Sequence, residues 1–111
     1  MRKISVATLI DDPVLKRLRG ALDDLFGERI ERVVLFGSRA RGDAGEDSDY
    51  DVAVFLRDLT DRWHELDRLA DLRVDFLEDI GVFIDAKPYP AGAYCDRTIL
   101  MREIRREGVD L

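Results

Sequence analysis

The sequence predicts an α+β (α/β) fold: a small mixed or antiparallel sheet of about three to four strands with helices packed on one face. Three observations lead there. Short β-branched apolar runs occur at 29–36, 49–56 and 82–86. Stretches with helical spacing of apolar residues separate and flank them. The chain has 111 residues, 46% of them hydrophobic, with no repeat or linker, so residues 1–111 read as a single domain around one core.

The elements follow in order. Residues 1–11 fit a short strand, a helix or a loose N-terminal arm, and no clean period chooses among them. Asp12-Pro13 reads as an N-cap followed by proline at the first helical position. Val14, Leu15, Leu18, Ala21, Leu22, Leu25 and Phe26 then recur at helical spacing, and Gly27 is placed to end that helix. A buried strand follows over 29–36. On the strand over 49–56, Asp49, Asp51, Ala53 and Phe55 share one face. Thr60 or Asp61 caps a helix whose inner face is read as Trp63, Leu66, Leu69, Ala70, Val74, Leu77 and Ile80, stopped by Gly81. A third strand spans 82–86. The prolines in 87–92 break regular structure. A last helix over about 96–107 turns Ile99, Leu100 and Ile104 inward and ends at Gly108.

Composition narrows the function. Charged residues make up 38% and the net charge is −6, which disfavours direct general nucleic-acid binding. One cysteine, Cys95, excludes an internal disulfide and a cysteine-rich zinc site. No apolar run reaches membrane-spanning length and no signal-peptide core opens the chain, so no membrane is expected and the cytoplasm is the expected location. The lone His64 sits off the apolar stripe and reads as solvated.

The chemistry gathers in residues 30–55. The apolar strand ends in Gly37-Ser38-Arg39-Ala40-Arg41-Gly42. Gly37 lets a ligand approach the backbone, Ser38 can donate to a phosphate oxygen, and Arg39 and Arg41 offer guanidinium forks for a polyphosphate. Alone, the same turn fits two solvated arginines. Asp49 and Asp51 alternate on one strand face, where two like charges destabilise a sheet unless a cation joins them. Hard oxygen ligands favour magnesium. Alone, the pair fits exposed aspartates at a strand start. Asp85, near the end of an apolar strand, is the third carboxylate; beside the pair it would complete a two-metal site. A P-loop fails because Asp43-Ala44 stands where Lys-Ser/Thr is required. A calcium loop fails because glycine is absent from its sixth position.

Gly37-Ser38, ten intervening residues, then Asp49-Tyr50-Asp51 resembles the signature of the nucleotidyltransferase superfamily that includes DNA polymerase beta. With Val33-Val34-Leu35-Phe36 before it and Ile104-Arg105-Arg106-Glu107-Gly108 near the end, the chain looks like a minimal nucleotidyltransferase, the MNT-domain antitoxin of HEPN/MNT toxin–antitoxin systems. The resemblance implies a nucleotidyltransferase fold. It also implies protein adenylyltransferase activity, with ATP as substrate. By that resemblance Ser38 would contact the triphosphate, Asp49 and Asp51 would bind Mg2+, with two ions expected when Asp85 joins them, and Asp85 would activate the acceptor hydroxyl. The implied partner is a cognate HEPN-type ribonuclease toxin, held in a hetero-oligomer and silenced by AMP on a tyrosine. A non-catalytic antitoxin and transfer to a small molecule such as an aminoglycoside are the alternatives.

Overall fold

The computed structural model describes residues 12–42, 45 and 48–111. The arm at 1–11 lies outside them. The elements are α1 (Pro13–Phe26), β1 (Ile30–Phe36), α2 (Ser38–Arg41), β2 (Tyr50–Leu56), α3 (Arg62–Ile80), β3 (Ile84–Pro90), α4 (Ile99–Glu107) and β4 (Val109–Asp110), with single 3-10 turns at Gly27–Arg29 and Ala91–Cys95. Each long helix begins at a side-chain cap. Asp12 accepts from the Val14 amide at 2.8 Å, Asp61 from His64 at 3.2 Å and Thr98 from Met101 at 3.2 Å. Gly81 closes α3 in the left-handed region, as expected of a C-terminal glycine.

The four strands form one mixed sheet in the order β3-β2-β1-β4. β1 runs antiparallel to β2 and β4, and β2 runs parallel to β3. β3 begins later than expected and continues through Pro88 and Pro90. An edge position permits this, because a proline there need not donate to a second neighbour.

Helices lie on both faces of the sheet, which corrects the expectation that all pack on one. Leu15, Leu18 and Leu22 of α1 and Leu69, Leu72 and Phe76 of α3 share a core with Val33, Leu35, Val52 and Val54. Met101 and Ile104 of α4 pack with Val34, Ala53 and Phe55 on the other face. Central strands buried on both sides read as continuous apolar runs, which hide this second layer. Tyr89 and Tyr94 pack around Phe55, at ring distances of 5.7 and 5.3 Å. Among the described residues, no helix is long and apolar enough to cross a membrane.

α3 sits in a different phase from the one its apolar residues suggest. Its buried positions are Glu65, Leu69, Leu72 and Phe76, whereas Trp63 is 78% and Val74 48% exposed. Glu65 is the cause. It is only 2% exposed and meets Arg29 at 2.9 Å, while Arg68 stands 3.6 Å away. Both arginines also lie over the Phe26 ring. A buried carboxylate is tolerated when it is paired in this way. In α4 the inward residues are Met101 and Ile104, and Ile99 is exposed.

This phase is open to measurement by urea unfolding. Phe76→Ala is expected to cost about 3–5 kcal/mol, the range for a truncated core aromatic. Val74→Ala is expected to stay within about 0.5 kcal/mol, as surface changes do. The reverse order would place α3 in the other phase.

Candidate active site

The turn after β1 is built around a steric constraint. Gly37 has φ +76° and ψ −157°, a backbone conformation that side chains rarely adopt. A Cβ there would collide with Asp51 Oδ2. The register explains the closeness: Phe36, the last residue of β1, pairs with Asp51 on β2. The chain therefore turns against this carboxylate and enters the single-turn helix α2. The Ala40 and Arg41 amides donate to the Gly37 carbonyl at 3.1 Å each, and Gly42 ends the turn at φ +86°. Ser38 is the first residue of that helix, half-buried beside Gly37.

The three expected carboxylates come together across two strands. Asp51 and Asp85 are register partners in the parallel β2–β3 pair, so their side chains share a sheet face. Asp49 precedes β2, is exposed, and lines one cleft with Asp85. Burial pushes the Asp51 carboxyl above the usual carboxylate range, and the charges of Asp85 and then Asp49 push it further. Lys87 and Arg41 oppose the rise. Lys87 Nζ lies 3.8 Å from Asp85 Oδ2.

The two arginines of the turn part company. Arg39 Nε donates to the Ser48 carbonyl at 2.9 Å, and its guanidinium stacks 3.9 Å over the Tyr50 ring. Tyr50 belongs to the α1–α3 core, and its hydroxyl donates to Asp12 Oδ2 at 3.2 Å. Burial foremost, and the Asp12 charge, raise the Tyr50 hydroxyl above its ordinary range. Arg39 thus ties the turn to the start of β2. Arg41 points its charge toward Asp51 instead, and pairs with Glu107 at 3.1 Å. Glu107 is the last residue of α4. Gly108 follows it, where a Cβ would collide with the Ile104 carbonyl and the Val34 side chain. That tight contact pins the end of α4 against β1.

Lys87 and Glu107 were missed as members of the site. Lys87 was findable, since period-two alternation puts it on the face of Asp85. Glu107 carries no local signal, because its partner is 66 residues away.

The donor set fits a hard divalent cation. All three groups are carboxylates, and their mutual repulsion at Asp51 is what a cation relieves. Among the described residues, no three or more acidic, histidine or cysteine side chains are grouped closely enough to hold a metal ion by themselves. Magnesium suits so open an arrangement, since it commonly takes one or two carboxylates and completes its shell with water and substrate phosphates.

Comparison with known proteins agrees with this geometry. A family model described as a nucleotidyltransferase domain matches residues 15–99. Two proteins of Methanocaldococcus jannaschii are similar to the chain. One, named "Putative protein adenylyltransferase MJ0141", is 35% identical over 46 residues, 41% of this chain. The other, named "Putative protein adenylyltransferase MJ0604", is 34% identical over 76 residues, 68% of this chain. The matches span 46% and 70% of those two proteins. The strand–glycine turn–Asp-x-Asp arrangement and the family match together establish that the chain belongs to the nucleotidyltransferase-domain family.

Proposed function

We propose that the chain is a protein adenylyltransferase: it moves AMP from ATP to a hydroxyl, a tyrosine of a HEPN-type ribonuclease toxin, and so acts as the toxin's antitoxin. The observation that carries the reading is the contact of Gly37 with Asp51, with Asp85 in register alongside. It brings a phosphate-compatible turn and the carboxylates of two strands to one place. The names of the two archaeal relatives favour a protein acceptor. The toxin is the partner that the Gly37-Ser38…Asp49-Tyr50-Asp51 resemblance implies.

The roles follow from position. The Ser38 hydroxyl and the Arg41 guanidinium face the β- and γ-phosphates. Arg39 also holds the turn, since its Nε donates to the Ser48 carbonyl and its plane stacks on Tyr50. Asp49, Asp51 and Asp85 would hold Mg2+. When bound, the ions supply charge neutralisation at the α-phosphate and the leaving pyrophosphate. Asp85 takes the proton of the acceptor hydroxyl. The acceptor oxygen forms a bond to the α-phosphorus, the bond from that phosphorus to the β-phosphate bridging oxygen breaks, and pyrophosphate departs.

Incubation with α-labelled ATP, magnesium and a co-expressed toxin is expected to label the toxin. Asp49→Ala combined with Asp51→Ala should abolish the label. An unlabelled toxin with the wild-type protein, or undiminished label with the double variant, sinks the proposal.

Asp51 makes a second prediction, in stability. Its carboxyl titrates higher in the fold than in the unfolded chain, so ionisation costs stability at pH above the raised value. The cost fades as pH falls through the window between the raised value and the unfolded carboxylate range. In EDTA, Asp51→Asn should therefore melt above wild type at neutral pH and converge with it in acid. Magnesium with ATP should raise the wild-type melting temperature and leave the variant's unchanged.

The arginines give a third. Arg41→Ala, and more mildly Glu107→Gln, should raise KM for ATP, by on the order of tenfold for loss of one charged hydrogen bond. Arg39→Ala should instead lower the melting temperature with a smaller change in KM. Equal KM effects at Arg39 and Arg41 would overturn this division of labour.

A further inference from the structure

Two clefts, of about 330 and 280 Å3, flank Asp85 and share Arg73 and Ile84. The first is bordered by Val74, Leu77 and Phe83, and the second by Trp63 and Leu66. Together they make a groove between β3 and the neighbouring flank of α3. Trp63, Val74, Leu77 and Phe83 are among the large apolar side chains most exposed on this molecule, and Phe83 is 49% exposed. Contiguous apolar surface of this kind marks a contact site.

Charge and topology say what fits. Asp49, Asp67 and Asp85 line the groove against Arg73 and Lys87, and Lys87 is already drawn to Asp85. The complement is a partner with apolar anchors and basic flanks. A second copy of this chain would set the same acidic border against itself in a two-fold contact, at a net charge of −6 per chain. Phosphates would meet carboxylates here, whereas Ser38 and Arg41 lie on the β1 side of Asp51. Strand order then sets out the site as a line. The phosphate turn follows β1, Asp51 is on β2, Asp85 is on β3, and the groove lies beyond. An in-line displacement needs the nucleophile opposite the leaving group, and the strand order puts Asp85 and the groove on the side of Asp51 away from the phosphate turn. Among the described residues β3 is also an edge strand, and Ile84–Lys87 precede its prolines, so an extended chain can add there.

We propose that the groove between the outer edge of β3 and α3 binds an extended, basic polypeptide segment with apolar anchors, and presents its hydroxyl to Asp85. This deepens the reading of Asp85 as the acceptor's base and rests on it. The bond changes are those of adenylyl transfer: oxygen to α-phosphorus forms, α-phosphorus to bridging oxygen breaks, and the hydroxyl proton passes to Asp85.

The chain's single tryptophan, Trp63, stands on the groove and reports on it directly. The probe is a synthetic heptapeptide, acetyl-Lys-Leu-Arg-Tyr-Leu-Arg-Leu-amide, with a counterpart carrying glutamate at each basic position. The basic peptide is expected to shift Trp63 emission to the blue with saturation, and to gain AMP from ATP and magnesium. Leu77→Ser and Phe83→Ser should each weaken the peptide's half-saturation about tenfold, while ATP with magnesium still raises their melting temperature as in wild type. No shift with the basic peptide, an equal shift with the acidic one, or variants that bind like wild type would each overturn the groove. A shift that depends on protein concentration alone assigns it to a second copy and also overturns it. The emission arm needs no catalysis, so a saturating shift without transfer supports the groove and counts against Asp85 as base. Transfer to free tyrosine amide with no peptide response does the reverse.

Discussion

The contact between the Gly37 backbone and the Asp51 carboxylate is the constraint on which the rest depends. It requires a residue without a Cβ, held at positive φ, at the step just after a central strand. It also requires β1 and β2 to be antiparallel neighbours in one particular register, because a slip of one residue would turn Asp51 to the α1–α3 core. The two-sided hydrophobic layering enforces that register. Val52, Val54 and Leu56 can only face α1 and α3, and Ala53 and Phe55 only α4. The site is a by-product of the core's alternation, continued past the point where covering helices end.

Half-burying Asp51 beside two like charges has a structural cost, and the molecule distributes it. Asp51 is held above its usual range by burial and two neighbouring acids. Lys87 and Arg41 offset part of this from opposite sides, one on β3 and one on α2. Arg41 is itself held by Glu107, at the end of a helix fixed to β1 through Gly108. Both sheet faces thus contribute to a single carboxylate. Arg39 and Tyr50 secure the turn from the α1–α3 side, while Arg41 and Glu107 reach it from the α4 side.

Much of this was legible in the sequence where the signal is local. Caps at Asp12 and Asp61, the glycine stop at Gly81 and the alternation around Asp51 all act within a few residues. The pairing of Asp85 with Asp51 required only that the third strand lie beside the second. Long-range partners were not legible. Glu107 looks like any charged residue near a helix end until β4 returns the chain to β1. The proline-rich end of β3 looked like a break because its edge position is a property of the sheet and not of the segment.

The misread phase of α3 carries the most physical content. The helix bears two apolar stripes, and periodicity cannot say which one its own chain covers. Intuition favours the stripe with the tryptophan and without an acid. Here the covered stripe contains Glu65, because Arg29 and Arg68 make its burial tolerable, and the stripe with Trp63 faces outward beside Asp85. Leaving the large aromatic exposed has a cost in water that the fold alone does not recover. Among the described residues this apolar surface stays uncovered beside Asp85, and that is the place the proposed acceptor would occupy. The same hydrophobic pattern that misleads a reading for the core is informative when read for an acceptor.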